Sequence, residues 1–261
     1  MIAPIPRDLP DLPAVPGMAP PLTSHVPATA VVNPVRRPLT AVYRLVIAAT
    51  AAAGVTIDLL IGSPVRVLSH FEIQSNILLA LVLILSARRA ATARRPLPSV
   101  LTGATLLYVT ITALVHHLLL TGTAPPFSLT SAPDTHRLWQ ALAGHILHTV
   151  TPAAALLDWL LLTAPGCLRL RQASTWLLYP LAYLAFSLAR GELILPGTPG
   201  RYLYPFLDVD HHGYKGALAN ALLLGLSFYA LAILLVVLDH VRPNPMRHRG
   251  KTGFRLRPPV G

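Results

Sequence analysis

The chain has 261 residues, 53% of them hydrophobic and 12% charged, with a formal net charge of +11 and a mean hydropathy of +0.57. Soluble domains carry about a quarter of their residues as charged side chains, so this composition excludes a water-soluble globular protein and indicates an integral membrane protein. The positive charge is not gathered into a nucleic-acid-binding stripe; it lies between apolar stretches, where it sets topology, and the partners it implies are membrane lipids.

Residues 1–40 open the chain with ten prolines between Pro4 and Pro38 and no hydrophobic period. They read as a disordered, Pro-rich cytoplasmic tail. Six apolar segments follow, near 42–61, 71–87, 99–120, 139–163, 173–190 and 215–240, each of a length that crosses a bilayer. Breaker sequences separate them: GSP at 62–64, RRPLP at 94–98, TAPP at 123–126, TAPG at 163–166 and PGTPG at 196–200. The predicted fold is therefore all-α, one bundle of six transmembrane helices over 41–241, followed by a basic tail at 242–261. Arg7, Arg36, Arg37, Arg44, Arg88, Arg89, Arg94, Arg95, Arg169, Arg171 and the six basic residues from Arg242 onward place 16 of the 21 Lys and Arg on one side. An excess of basic residues marks the cytoplasmic side, which predicts a cell-membrane protein with both termini in the cytoplasm.

With that topology the polar residues inside the membrane gather in the outer half. Glu72, Ser75 and Asn76 open the second span, His116 and His117 close the third, His145 and His148 lie in the fourth, and Tyr204, Asp208, His211 and His212 precede the last. Ionisable groups at membrane depth are costly and mark candidate functional sites. His145, His148 and Thr149 stand at i, i+3 and i+4, as do Glu72, Ser75 and Asn76, spacings that share one helix face. Three readings fit these residues. They are structural glue in a protein that binds lipid or a partner without catalysis; or a metal or quinone site on His145, His148 and the 116–117 pair; or an acid–base or nucleophilic centre. No His-Glu-x-x-His, no Gly-x-Ser-x-Gly and only one cysteine, Cys167, are present, so no metal or cofactor is called for by motif and an α/β-hydrolase is excluded. Trp139, Trp159 and Trp176, near span ends, read as interfacial anchors, and Pro180 as a kink in the fifth span.

Four stretches, FEIQSNILLALV (71–82), GHILHTVTPAAALLDWLL (144–161), WLLYPLAYLAFSLARG (176–191) and YPFLD (204–208), together resemble the actinobacterial "Pr-six-Pr" six-span membrane proteins over about residues 40–241. That family in turn is similar to the androgen-induced-gene proteins, membrane threonine hydrolases that cleave fatty acid esters of hydroxy fatty acids. The resemblance implies a lipid-ester hydrolase in which His148, the second histidine of His-x-x-His-Thr, is catalytic and His145 matches the first. It also implies a threonine in the motif Phe-Thr-x-Gln-Ser-Asn, but this chain carries Glu72 there. Three consequences stay open: Ser75 supplies the hydroxyl, Glu72 acts as base or carboxylate nucleophile, or the chemistry is lost and the fold serves binding.

Overall fold

The computed structural model describes residues 36–120, 134–198 and 200–243. The tails read at 1–40 and 242–261 lie outside these residues, apart from 36–40 and 242–243. Among the described residues all regular structure is helical. Helix α1 (Pro38–Ile61) leads through a short α2 (Pro64–Leu68) into α3 (Phe71–Ala91). Helix α4 (Ser99–Val115) ends in a π turn, His116–Leu120. The next transmembrane segment is composite: α5 (Asp134–His145), a π turn at Ile146–Val150, α6 (Thr151–Leu157) and a π turn at Asp158–Leu162. Helices α7 (Leu170–Trp176) and α8 (Leu178–Leu193), a 3-10 turn (Pro205–Leu207) and α9 (Val209–Val241) complete the fold.

Five helical stretches among the described residues are long and apolar enough to cross a membrane: Pro38–Ile61, Phe71–Ala91, Ser99–Leu120, His136–Leu162 and Val209–Val241. The segment expected at 173–190 is not one of them. It is broken at Leu177 into α7 and α8. The cause is Pro180, whose ring in a continuous helix clashes with the carbonyl four residues back and which lacks the N–H to bond it. That carbonyl belongs to Trp176, and the Tyr108 hydroxyl donates to it at 2.9 Å. A neighbouring helix thus supplies the hydrogen bond that proline removes, as helix breaks inside membranes require.

Packing is densest along α1, α3 and α4, with α5 and α6 laid against α1 and α4. The core runs through Ile47 and Ala51, Leu79 and Leu83, Leu107 and Ile111, Trp176 and Leu235. A Cβ at Gly103 would lie 2.3 Å from the Trp176 ring, so the glycine is what admits that indole. Trp159 and Trp176 are buried, 7% and 1% exposed, and donate to the Asp239 carboxylate and the Val100 carbonyl. They are core cross-ties rather than the interfacial anchors their sequence positions suggested; Trp139 is half exposed.

The helix ends meet in two groups. At the basic end the Arg37 N–H donates to Ala90 O, Arg44 pairs with Asp158 at 2.8 Å, and Asp239 accepts from the Leu168 N–H while pairing with Arg242. At the opposite end the Tyr183 hydroxyl donates to Ser69 O and Arg190 donates to the carbonyls of Gly200 and Arg201. Helix α9 is the least buried of the five membrane-spanning stretches; it packs against α7 but contacts α8 only sparsely.

Candidate functional site

The site grows out of the π turn at Ile146–Val150. Pro152 would drive its ring against the His148 carbonyl in an α-helix, and the wider i→i+5 turn relieves that contact. In this register the Thr151 N–H bonds Ile146 O. The Leu147 carbonyl then falls opposite Pro152, which has no N–H. Asn76 from α3 fills the gap: its Nδ2 donates to Leu147 O at 3.4 Å and to Glu72 O at 2.9 Å. The Thr151 hydroxyl donates to Asn76 Oδ1 at 2.7 Å. Asn76 and Thr151 are wholly buried, and their network locks the π turn to α3.

This turn separates the two histidines. The step from His145 to His148 crosses its start, so a three-residue spacing no longer keeps both rings on one face. His145 is exposed and does not line the cavity described below, whereas His148 is half-buried and does. The His148 ring stacks on His116, centroids 4.0 Å apart at 21°. Its Nδ1 lies 2.9 Å from Gly144 O. A carbonyl only accepts, so Nδ1 carries a hydrogen, and in the neutral ring Nε2 is the basic nitrogen. His117 Nε2 lies 3.0 Å from Thr149 Oγ1, a second tie between the π turns of α4 and α5.

Glu72 is buried in the first turn of α3, within electrostatic reach of His148 and His70. The Tyr204 hydroxyl donates to its carboxylate and accepts from the Phe71 N–H at 3.2 Å. Burial, and then the Glu72 charge, hold the Tyr204 phenol well above its ordinary pKa, so it remains a donor at neutral pH. The sequence places Tyr204 among the polar residues that precede the last span and gives it no partner; the motif YPFLD is the visible signal. Ser75, one position before Asn76, is wholly buried, does not line the cavity, and its hydroxyl has no hydrogen-bond partner among the described residues.

Glu72, His116, His148 and Tyr204 form the polar end of a cavity of about 580 Å³. Its remaining wall is overwhelmingly apolar and comes from α4, α8 and α9, including Ile111, Leu184 and Phe228. Leu181, Leu218, Leu222 and Leu226 line it and are also at least half exposed on the outside, so the cavity opens sideways between α8 and α9. Volume and lining fall in the range of sites that bury an organic ligand. Among the described residues no three His, Cys, Asp or Glu side chains are grouped to hold a metal ion. No protein family, curated protein or solved structure matches this chain. The fold and its apolar helices define the class, a helical integral membrane protein.

Proposed function

We propose that the protein is a membrane-embedded lipid-ester hydrolase whose base is His148 and whose charge partner is Glu72. The observation that carries this is the placement of both side chains, with Tyr204, at the one polar end of an apolar cavity that opens laterally. A long acyl chain fills the apolar part and brings its ester group to the polar end. Nε2 of neutral His148 removes a proton from water as the water oxygen bonds the ester carbonyl carbon. The buried carboxylate of Glu72, held by Tyr204, offsets the imidazolium charge. Collapse of the adduct breaks the C–O bond, and the departing alkoxide takes its proton from His148. In this reading Glu72 does not replace the threonine of the resembling family as nucleophile; it changes the route to direct attack by water.

The proposed setting is six spans in the cell membrane with both termini cytoplasmic. The sixth crossing is the pair α7 and α8, 170–193 with one break. The pairing of helix ends supports it: Arg37 with Ala90, Arg44 with Asp158 and Asp239 with Leu168 bring the basic segments to one face.

The test is turnover of a long-chain ester by the purified full-length protein. Wild type is expected to hydrolyse it, with His148→Ala and Glu72→Gln each slower by about 100-fold or more, the usual scale for general acid–base groups. Equal rates in all three proteins would overturn the reading. Binding without turnover would leave a lipid-binding protein in which these residues are structural.

A further inference from the structure

A second cavity, about 550 Å³, lies at the non-basic end of the bundle and meets the apolar one at two shared residues, Tyr204 and Leu120. Its lining is polar. Arg66 and His70, at the α2–α3 junction, line it together with Asp208, His211 and His212, at the start of α9. The His211 side chain is 81% exposed, so the cavity reaches the surface there. A buried water takes a share of about 30 Å³ and two to four polar partners, and this cavity offers far more volume and polar groups on more than one element. The apolar cavity is the opposite case. Cavities walled by Leu, Ile and Phe stay dry, and its side opening leads toward hydrocarbon, which holds no water.

Tyr204 stands at the boundary between the two. Its ring stacks on Phe206, which lines the apolar cavity, with centroids 5.2 Å apart at 14°. The same ring meets His70, which lines the polar cavity, edge-on at 6.1 Å and 74°. Its hydroxyl donates to Glu72. Consecutive residues of the chain divide in the same way: His70 lines the polar cavity, and Phe71 and Glu72 line the apolar one. The polar cavity therefore ends one side chain away from the carboxylate that shares its end of the apolar cavity with His148.

From this arrangement we infer that the second cavity is the aqueous port of the site. Small polar molecules, water first among them, reach His148 past Tyr204 and Leu120, while lipid enters sideways between α8 and α9. The two reactants of an ester hydrolysis have opposite solubilities, and an opening onto hydrocarbon alone admits water poorly. Separate ports let each reactant arrive from the phase that holds it. That the port supplies water for hydrolysis rests on the proposed function; that it is a second, polar entrance to the site does not.

The experiment plugs each entrance in turn, in the full-length protein reconstituted in phosphatidylcholine bilayers. His148→Cys places a thiol at the polar end, and Cys167→Ser removes the exposed native one. The thiol is labelled with iodoacetamide, which is small and water-soluble, or with N-cyclohexylmaleimide, which partitions into the bilayer. His212→Trp, at an exposed position on the polar cavity, is expected to slow the iodoacetamide reaction at least about tenfold, the effect of a barrier raised by about 1.4 kcal/mol, and to leave the maleimide reaction unchanged. Leu181→Trp, at the side opening, is expected to do the reverse. Should His212→Trp not fold, His211→Trp, also exposed and on the same cavity, replaces it. In the protein that keeps His148, His212→Trp is expected to lower kcat for a long-chain ester at least about tenfold and to leave binding of the matching non-cleavable alkyl ether unchanged. An iodoacetamide reaction untouched by plugging the polar cavity, or slowed equally by Leu181→Trp, would overturn the separate port. The expected labelling with turnover untouched by His212→Trp would overturn its role in supplying water. The expected labelling with no turnover in wild type would overturn the hydrolase reading alone.

Discussion

The hydroxyl of Thr151 donates to the side-chain oxygen of Asn76 at 2.7 Å, joining α3 to the π turn that carries His148. Both residues are wholly buried, so neither group has water as an alternative partner. Thr151→Val is expected to lower stability by about 1 kcal/mol, the scale of a hydrogen bond between membrane helices. Asn76→Leu is expected to cost more, about 2–3 kcal/mol, because it removes the bonds from Asn76 Nδ2 to the Leu147 and Glu72 carbonyls as well as the acceptor of the Thr151 hydroxyl, which keeps only the Leu147 carbonyl at 3.3 Å. Unfolding titrations in mixed detergent micelles, with a helical CD readout, check both.

Pro152 shapes the turn by what it lacks. Pro152→Ala restores an N–H opposite the His148 carbonyl and removes the ring that widened the helix. The variant is expected to be at least as stable as wild type, yet to hydrolyse ester about tenfold or more slowly, because His148 rotates away from the cavity. Thermal melting and turnover measured on the same preparation separate the two effects.

Asp239 is wholly buried and accepts from Leu168 N, Trp159 Nε1 and Arg242. Removing one partner of a buried ion pair leaves a charge with no compensation, so Asp239→Ala is expected to destabilise by about 3–5 kcal/mol. Asp210, which pairs with Arg201 from an exposed position, is the comparison; Asp210→Ala is expected to cost no more than about 1 kcal/mol. Denaturant midpoints of the two variants provide the check.

Tyr204 gives an alkaline signature. Its pKa in the folded protein is raised by burial and by Glu72. A raised folded-state pKa contributes stability that is complete below the unfolded value, about 10 for tyrosine, and is lost as pH rises above it. Wild type is therefore expected to lose stability more steeply than Tyr204→Phe between about pH 10 and 12. Melting temperatures measured across that range, compared between the two proteins, decide it; parallel curves would show that the phenol does not titrate with folding.

Much of the helical architecture was legible in the sequence, because length and apolar content are enough to specify a bilayer-crossing helix. The fifth predicted segment shows the limit of that logic. Its composition suits a span, but the break at Leu177 depends on Pro180 and on a hydroxyl from Tyr108, a residue 68 positions distant from the carbonyl it satisfies. The candidate site divides in the same way. His148 and Glu72 stand out as ionisable residues in apolar surroundings. The separation of His145 from His148 does not, since helical spacing assumes an α-helix and the turn between them is π. The link from Glu72 to Tyr204 spans 132 residues and leaves no periodic trace in the chain. Trp159 and Trp176 mislead because aromatic residues near span ends serve equally as anchors and as core.

Under the proposed function, the lateral opening between α8 and α9, lined by Leu181, Leu218, Leu222 and Leu226, would make the bilayer itself the solvent from which a ligand is drawn. The quantity that sets occupancy is then the mole fraction of ligand in the membrane, and bulk molarity matters only through partitioning. Diluting a fixed amount of amphiphile with inert phospholipid should slow its capture, even though its concentration in the tube is unchanged.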